Sequence, residues 1–199
     1  MLAPHSRMNW QLEPDVEELR RLQSLRSTNP EKAYNGMEQL AGQGSIASML
    51  DLAYAYANGL GVQVDLYIAE AWYRRAMEAG SPYGSYGVGA MNSRKKDFGK
   101  ALQAFRAGAA SDFVPSLYRM GRIYKRGLGV EANPAQAREF WQRASDLGHV
   151  RAKRDLAFML MSGKFGIARI PSGAALLWSA IGTARQLSLR NVKSDLLWG

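Results

Sequence analysis

The sequence predicts an all-α fold, an α-solenoid of antiparallel helix pairs arranged as about four to five repeats. Three observations predict it. The segment from Gly59 to Gly80, GLGVQVDLYIAEAWYRRAMEAG, returns from Gly127 to Gly148 as GLGVEANPAQAREFWQRASDLG. In it Gly59, Gly61, Val62, Ala69, Arg75, Ala76 and Gly80 recur as Gly127, Gly129, Val130, Ala137, Arg143, Ala144 and Gly148, every pair 68 residues apart. A fixed offset of about two helical-repeat lengths is the mark of a repeat array. Third, the intervening stretches place an Ala and a large aromatic four residues apart, which puts them on one face of a helix.

Residues 1–12 show no periodicity and are expected to form a flexible arm. The helix from Pro14 has early acid (Asp15, Glu17, Glu18) and late base (Arg20, Arg21, Arg26), the order the helix dipole favours. Asn29-Pro30 then reads as N-cap and first helical residue of the next helix. Boundaries at Gly44, Gly80, Asp112 and Gly148, spaced 36, 32 and 36, divide the array into units at 13–44, 45–80, 81–112, 113–148 and 149–182.

Four residues after each boundary stands a small residue (Ser48, Gly84, Ser116, Ala152), eight after it an apolar one (Leu52, Val88, Met120, Leu156), and nine after it Ala53, Gly89, Gly121 or Ala157. Small residues at matched sites let two helices approach closely. At twelve after, Tyr56, Tyr124 and Leu160 are expected to pack on the partner helix, and Asn92 departs from the pattern. Second helices start at Asp65, at Asn133-Pro134 and at Pro171-Ser172. Their core stripes are read as Ala69/Tyr73, Ala101/Phe105, Ala137/Trp141 and Ala174/Trp178. Glycines 59, 61, 127 and 129 supply left-handed turns, with Val62 and Val130 folding back as apolar plugs. The middle unit replaces this turn with Asn92–Asp97, and the last keeps only Gly163-Lys164-Phe165-Gly166. Residues 183–199 are read as a capping helix and tail covering the last repeat with Leu187, Leu189, Leu196, Leu197 and Trp198.

Composition narrows the function. At 47% hydrophobic and 22% charged, the chain is a folded protein. It has no cysteine, which excludes disulfides, thiol catalysis and cysteine-ligated metal. Of the two histidines, His5 lies in the arm and His149 at a repeat boundary, where it is read as a solvated helix start. Neither belongs to a metal-spaced cluster or a base–nucleophile pair. No catalytic constellation, cofactor site or metal site is expected. The longest uncharged run, Ile170–Ala184, falls short of the ~20 residues of a membrane helix and contains Pro171 and Gly173. The amino terminus has neither the basic start nor the apolar run of a secretory signal, so the expected location is the cytoplasm, or the periplasm where a leader has been removed.

Charge is unevenly spread. Residues 1–93 carry 7 Lys/Arg against 10 Asp/Glu, and residues 94–199 carry 19 against 7. The second half is expected to meet something anionic.

The repeated residues resemble Sel1-like repeats, bacterial and eukaryotic relatives of tetratricopeptide repeats. The family pattern is roughly A-x3-L-G-x2-Y-x2-G-x-G-V followed by K-A-x2-W-Y-x2-A-A-x2-G. It is matched by Ser48, Leu52-Ala53, Tyr56, Gly59-Leu60-Gly61-Val62, Ala69, Trp72-Tyr73, Ala76 and Gly80. It is matched again by Ser116, Met120-Gly121, Tyr124, Gly127-Leu128-Gly129-Val130, Ala137, Phe140-Trp141, Ala144 and Gly148. The resemblance implies a right-handed superhelix whose first helices line a concave face, and a role as a non-catalytic scaffold or adaptor.

If first helices line that face, exposed positions fall about three, six, ten, thirteen and fourteen residues after each boundary. These are Tyr54 and Asn58, then Tyr83, Tyr86 and Arg94, then Tyr118, Arg122, Lys125 and Arg126, and last Arg151, Arg154 and Phe158. Position six admits a second reading, in which Tyr86 and Tyr118 are core. The face runs from aromatic to basic and suits a protein partner with an acidic or extended segment. The rival reading is a polyanion, nucleic acid or acidic polysaccharide, held by the basic half. A homodimer through Leu196, Leu197 and Trp198 is a further possibility.

Overall fold

The computed structural model describes residues 13–162 and 167–189, and among them it contains ten α-helices and no strand. They are α1 (Val16–Leu25), α2 (Pro30–Gly42), α3 (Ile46–Asn58), α4 (Leu66–Glu78), α5 (Pro82–Arg94), α6 (Phe98–Ala110), α7 (Val114–Arg126), α8 (Pro134–Asp146), α9 (Val150–Met161) and α10 (Ile170–Leu189). The chain divides into two compact units at Lys96/Asp97, with α1–α5 in one and α6–α10 in the other. The expected arm at 1–12, the turn at 163–166 and the tail residues Leu196, Leu197 and Trp198 lie outside the described residues.

Helix starts are set by side chains that accept from otherwise unpaired N–H groups. Asp15 takes the Glu18 N–H, Asn29 that of Lys32, Ser45 that of Ser48, and Asp65 those of Tyr67 and Ile68. In the second unit Asp97 and Asn133 play the same part for α6 and α8. By contrast α7 begins at Phe113 without a side-chain cap.

Helix ends are equally regular. At Gly44, Gly80, Asp112 and Gly148 the backbone turns left-handed (φ 98°, 83°, 51° and 90°). In each case the following N–H reaches back to the helix, as in Ser45 N–H to Leu40 O, Ser81 to Ala76, Phe113 to Gly108 and His149 to Ala144. This is the Schellman closure, which satisfies the last carbonyls. Asp112 accomplishes it without a glycine and is tied down by Arg143, whose Nη2 donates to its Oδ1 at 2.5 Å.

The GLGV turns carry out two tasks. Gly59, Gly61, Gly127 and Gly129 all have φ between 66° and 72°. The turn also lies against the preceding second helix. A Cβ on Gly61 would come 2.6 Å from the Cβ of Pro30, and one on Gly129 2.7 Å from that of Phe98. The Tyr34 hydroxyl donates to Leu60 O at 2.6 Å, and the loop closes with Asp65 N–H to Tyr56 O and, 68 residues on, Asn133 N–H to Tyr124 O. Val62 is half-buried against the core of its unit. Where the middle unit lacks GLGV, Lys96 takes the left-handed turn instead (φ 62°).

Small residues bring the helices together as expected. A Cβ on Gly84 would meet the α4 backbone at Met77 N (2.4 Å), and one on Gly121 would meet the Trp141 ring at 2.3 Å. Ala69, Ala101, Phe105, Ala137 and Trp141 are all at most 1% exposed, and Tyr124 stacks on Phe140 with ring centroids 5.6 Å apart. Asn92 is buried and donates to Val88 O within its own helix.

One stripe is corrected. Ala174 is exposed and Trp178 is 80% exposed. The inward face of α10 is Gly173, Leu177 and Ala180, with Gly173 so close to α9 that a Cβ would lie 2.9 Å from Ala157 O. These three stand 36 residues after Ala137, Trp141 and Ala144. Trp178 is one residue, and therefore about 100°, off the face.

Candidate interaction face

Counting from the boundary residues, positions six, seven and ten of each first helix have distinct environments. Position six holds Leu50, Tyr86, Tyr118 and Arg154, of which the first three are buried. Tyr86 (7% exposed) and Tyr118 (4%) are therefore core residues, correcting their place on the expected face. Tyr118 joins two helices. Its hydroxyl donates to Asp155 Oδ2 of α9 at 3.0 Å, its ring lies 4.6 Å from that of His149, and its carbonyl accepts from Trp141 Nε1. Burial, then the charge of Asp155, holds the phenol above its ordinary pKa.

Position seven, Asp51, Gly87, Arg119 and Asp155, was not among the expected residues. In α3 and α9 it looks toward the preceding first helix. Asp51, 3% exposed, accepts from Gln23 Nε2 (2.8 Å) and Arg26 Nη1 (3.1 Å) of α1. Asp155 accepts from Tyr118 and from Arg154, whose Nη2 is 2.8 Å away. The signal was legible, because this position carries no large apolar residue in any unit.

Position ten is where the side chains reach outward. In the first unit Tyr54 is half-buried, and Asn58 at position fourteen is exposed, its Nδ2 donating to Tyr54 O. Tyr83 is half-buried against the core cluster and Arg94 is exposed.

The second unit concentrates charge. On α7, Arg119, Arg122 and Arg126 follow at the i, i+3, i+7 spacing of one helical face. Arg122 is half-buried, and burial, then Arg119, draw its guanidinium below the ordinary arginine pKa, with Arg126 adding to them and Tyr118 and Asp155 opposing. It makes no hydrogen bond or ion pair among the described residues. The acid that acts on it, Asp155, is already held by Arg154 and Tyr118. Arg126 and Lys125 are exposed, and Lys125 Nζ lies 5.2 Å from the Trp141 ring centroid. On α9, Arg151 is half-buried, Arg154 exposed, and Phe158 at position ten is 53% exposed.

His149 differs from its expected solvated state. It is 7% exposed, its ring lies tilted against that of Tyr118, and its Nδ1 accepts from Ala152 N–H as the cap of α9. Among the described residues no three His, Cys, Asp or Glu side chains converge to hold a metal ion, and no helix is long and apolar enough to cross a membrane. A cleft of ≈ 450 Å³ between α1 and α2 is lined by Glu18, Arg21 and Lys32 among others, and shares no residue with the arginine face.

The Sel1 repeat family model matches residues 46–81 and 114–149, the two stretches made of α3–α4 and α7–α8 with their glycine turns. Two stretches of the chain are Sel1 repeats. Among solved structures it is similar to a Sel1 repeat protein from Oxalobacter formigenes, with TM-score 0.73 and 21% identity over 84% of this chain and 71% of that one. It is also similar to a protective antigen of uropathogenic Escherichia coli strains that displays an SLR fold, with TM-score 0.67 and 21% identity over 81% of this chain and 38% of that one. These likenesses establish the fold class of this Sel1-like protein, an all-α solenoid. Chitin synthase regulatory factor 3 of Schizosaccharomyces pombe is 27% identical over 154 residues, 73% of this chain but only 16% of that relative. Sel1 repeat proteins act as protein-interaction scaffolds.

Proposed function

We propose that this Sel1-like protein is a non-catalytic adaptor whose arginine face on α7 binds an acidic segment of a protein partner. The observation that carries the reading is Arg122, a half-buried guanidinium flanked by Arg119 and Arg126 with no ion pair among the described residues. A cation withdrawn from water and left uncompensated costs free energy, which a ligand carboxylate offsets. Arginine suits the task because its planar fork meets a carboxylate with two parallel hydrogen bonds.

The test is co-purification from native extract with the wild type and the Arg122→Ala/Arg126→Ala double variant, at low and high salt. The expected result is one protein retained by the wild type and released by the variant or by salt. Retention indifferent to both changes would sink the electrostatic reading. Recovery of nucleic acid or acidic glycan in place of a protein would favour the polyanion alternative, which the excess of 19 basic over 7 acidic residues in 94–199 supports.

A further inference from the structure

The outer side of α10 departs from the repeat. In the other units the second helix supports the first helix of the next unit: α2 packs on α3, α4 on α5, α6 on α7 and α8 on α9. Near the end of each supporting helix, at one matched position, stand Ala41, Met77, Ala109 and Ser145, all buried or half-buried. At the α4–α5 crossing the approach is so close that a Cβ on Gly84 would meet Met77 N. The matching residue of α10 is Ile181, 36 residues after Ser145 and 56% exposed. Three residues earlier the row reads Glu38, Arg74, Arg106 and Gln142, polar and exposed each time, and then Trp178. Ala174, Trp178 and Ile181 share one helical face at i, i+4, i+7 spacing, and residues 170–184 hold no charge. The contact with α9 does not require this, because Gly173, Leu177 and Ala180 serve it. A row that is polar elsewhere is thus apolar on the face where a further helix would sit.

The rim selects the occupant by charge. Arg169 precedes the face, Arg185 follows Ile181 by one helical turn, and Lys153 of α9 donates from Nζ to Ser179 Oγ at 3.2 Å, beside Trp178. No Asp or Glu stands between Asp155 and Asp195. A second copy pairing through the same face would set this basic rim against itself, and α1 of a second copy exposes Glu17, Arg20 and Arg21 in place of an apolar row. A lipid surface would accept the charge, but Trp178 and Ile181 give it little apolar area to bury. We infer that the Trp178–Ile181 face of α10 receives an amphipathic helix of a partner protein, with an apolar seam flanked by Asp and Glu, in the place a further first helix would take. Such a helix is read through anchors at i, i+3/i+4 and i+7, and its acids meet the basic rim. The surface shares no residue with the arginine face of α7 and stands independently of the reading above.

The inference is tested on the full chain by fluorescence anisotropy with labelled helical peptides. The probe is Ser-Ala-Glu-Leu-Ala-Gln-Leu-Glu-Ala-Glu-Leu-Ala-Gln-Leu-Glu; one comparator replaces every Glu by Lys, the other every Leu by Gln. The expected result is at least about tenfold tighter binding of the probe than of either comparator. The Trp178→Gln/Ile181→Gln variant should lose that binding. Arg169→Ala/Arg185→Ala should bring the Glu and Lys peptides towards equal affinity, and Arg122→Ala/Arg126→Ala should leave the probe's affinity unchanged. Helical circular dichroism and urea unfolding of each variant should match the wild type, as befits exposed sites. Absence of probe binding, or binding indifferent to Trp178→Gln/Ile181→Gln, would overturn the inference. Three further results would overturn it by giving the face to another occupant. Probe binding that appears only with Leu197→Ser/Trp198→Ser would assign the face to this chain's own end. A dimer in sedimentation equilibrium that dissociates in Trp178→Gln/Ile181→Gln would assign it to a second copy. Capture on phosphatidylglycerol vesicles, lost in the same variant, would assign it to a membrane.

Discussion

Replacing Gly84 by Ala tests whether the helix pairs are held by close backbone approach. The Cβ would stand 2.4 Å from Met77 N, 2.7 Å from Ala76 C and 2.8 Å from Tyr73 O, all backbone atoms of α4. No side chain can swing aside, so α4 and α5 must separate. Such overpacking costs about 1–3 kcal/mol and occasionally more. Against this, Ala is favoured over Gly in a helix interior by about 1 kcal/mol. With three backbone atoms inside 3 Å the upper part of that range, about 2–3 kcal/mol, applies, and the expected net loss is about 1–2 kcal/mol. The same repeat position holds Ser48, Ser116 and Ala152, each buried, so the demand for glycine is local to the α4–α5 crossing. Gly42→Ala is the control. That residue is helical and exposed, with nothing within 4 Å of the added methyl, and the change should raise stability by up to about 1 kcal/mol. The assay is urea unfolding followed by helical circular dichroism. A Gly84→Ala variant as stable as the wild type, or more so, would refute the close-approach argument.

Other expectations concern charge, titration and turns. Asp51→Ala removes a buried acceptor from Gln23 and Arg26; because Arg26 retains access to water, the loss should be about 2 kcal/mol, between the exposed and the fully buried ion-pair cases, by the same unfolding assay. Burial, then the neighbouring Tyr54 and Tyr86, raises the Tyr73 phenol above its ordinary value. Its contribution to stability should thus be complete below about pH 10 and decline above it, as the unfolded chain ionises first. Ultraviolet titration should show this phenol un-ionised until the protein unfolds, and its ionisation in the folded chain near its ordinary value would contradict the burial. Lys96→Gly relieves a left-handed non-glycine residue and should raise the unfolding midpoint, by about 0.5–1 kcal/mol in stability, whereas Gly127→Ala should cost about 1–2 kcal/mol. Trp178→Gln should leave stability within about 0.5 kcal/mol, and a larger loss would contradict its exposure of 80%.

Most of the fold was legible because repetition multiplies weak signals. Asn29, Asp65 and Asn133 read as helix starts by themselves, and the 68-residue offset made the glycine turns unambiguous. The face was harder to read because one residue of register is about 100° of rotation. Tyr86 and Tyr118 looked like contact residues since tyrosine suits both a core and an interface, but their equivalence to the buried Leu50 places them inside. Arg119, one residue further on, was overlooked for the same reason. Trp178 was taken as core from its aromatic ring alone, while the counterparts of Trp141 and Ala144 are the less conspicuous Leu177 and Ala180. His149 was judged by its polarity at a boundary, and only the packing of Tyr118 against it reveals a buried cap.

Position ten now has a wider meaning. Tyr54, Ala90, Arg122 and Phe158 occupy one repeat position on four first helices, and none of them is among the fully buried residues of the core. A phenol, a methyl, a guanidinium and a phenyl ring are displayed on the same supporting frame. Folding imposes little on the choice, so each unit can acquire a new chemistry by a single codon change without passing through an unstable intermediate. Recognition in such a chain can drift one unit at a time, and an engineer can rewrite it in the same increments.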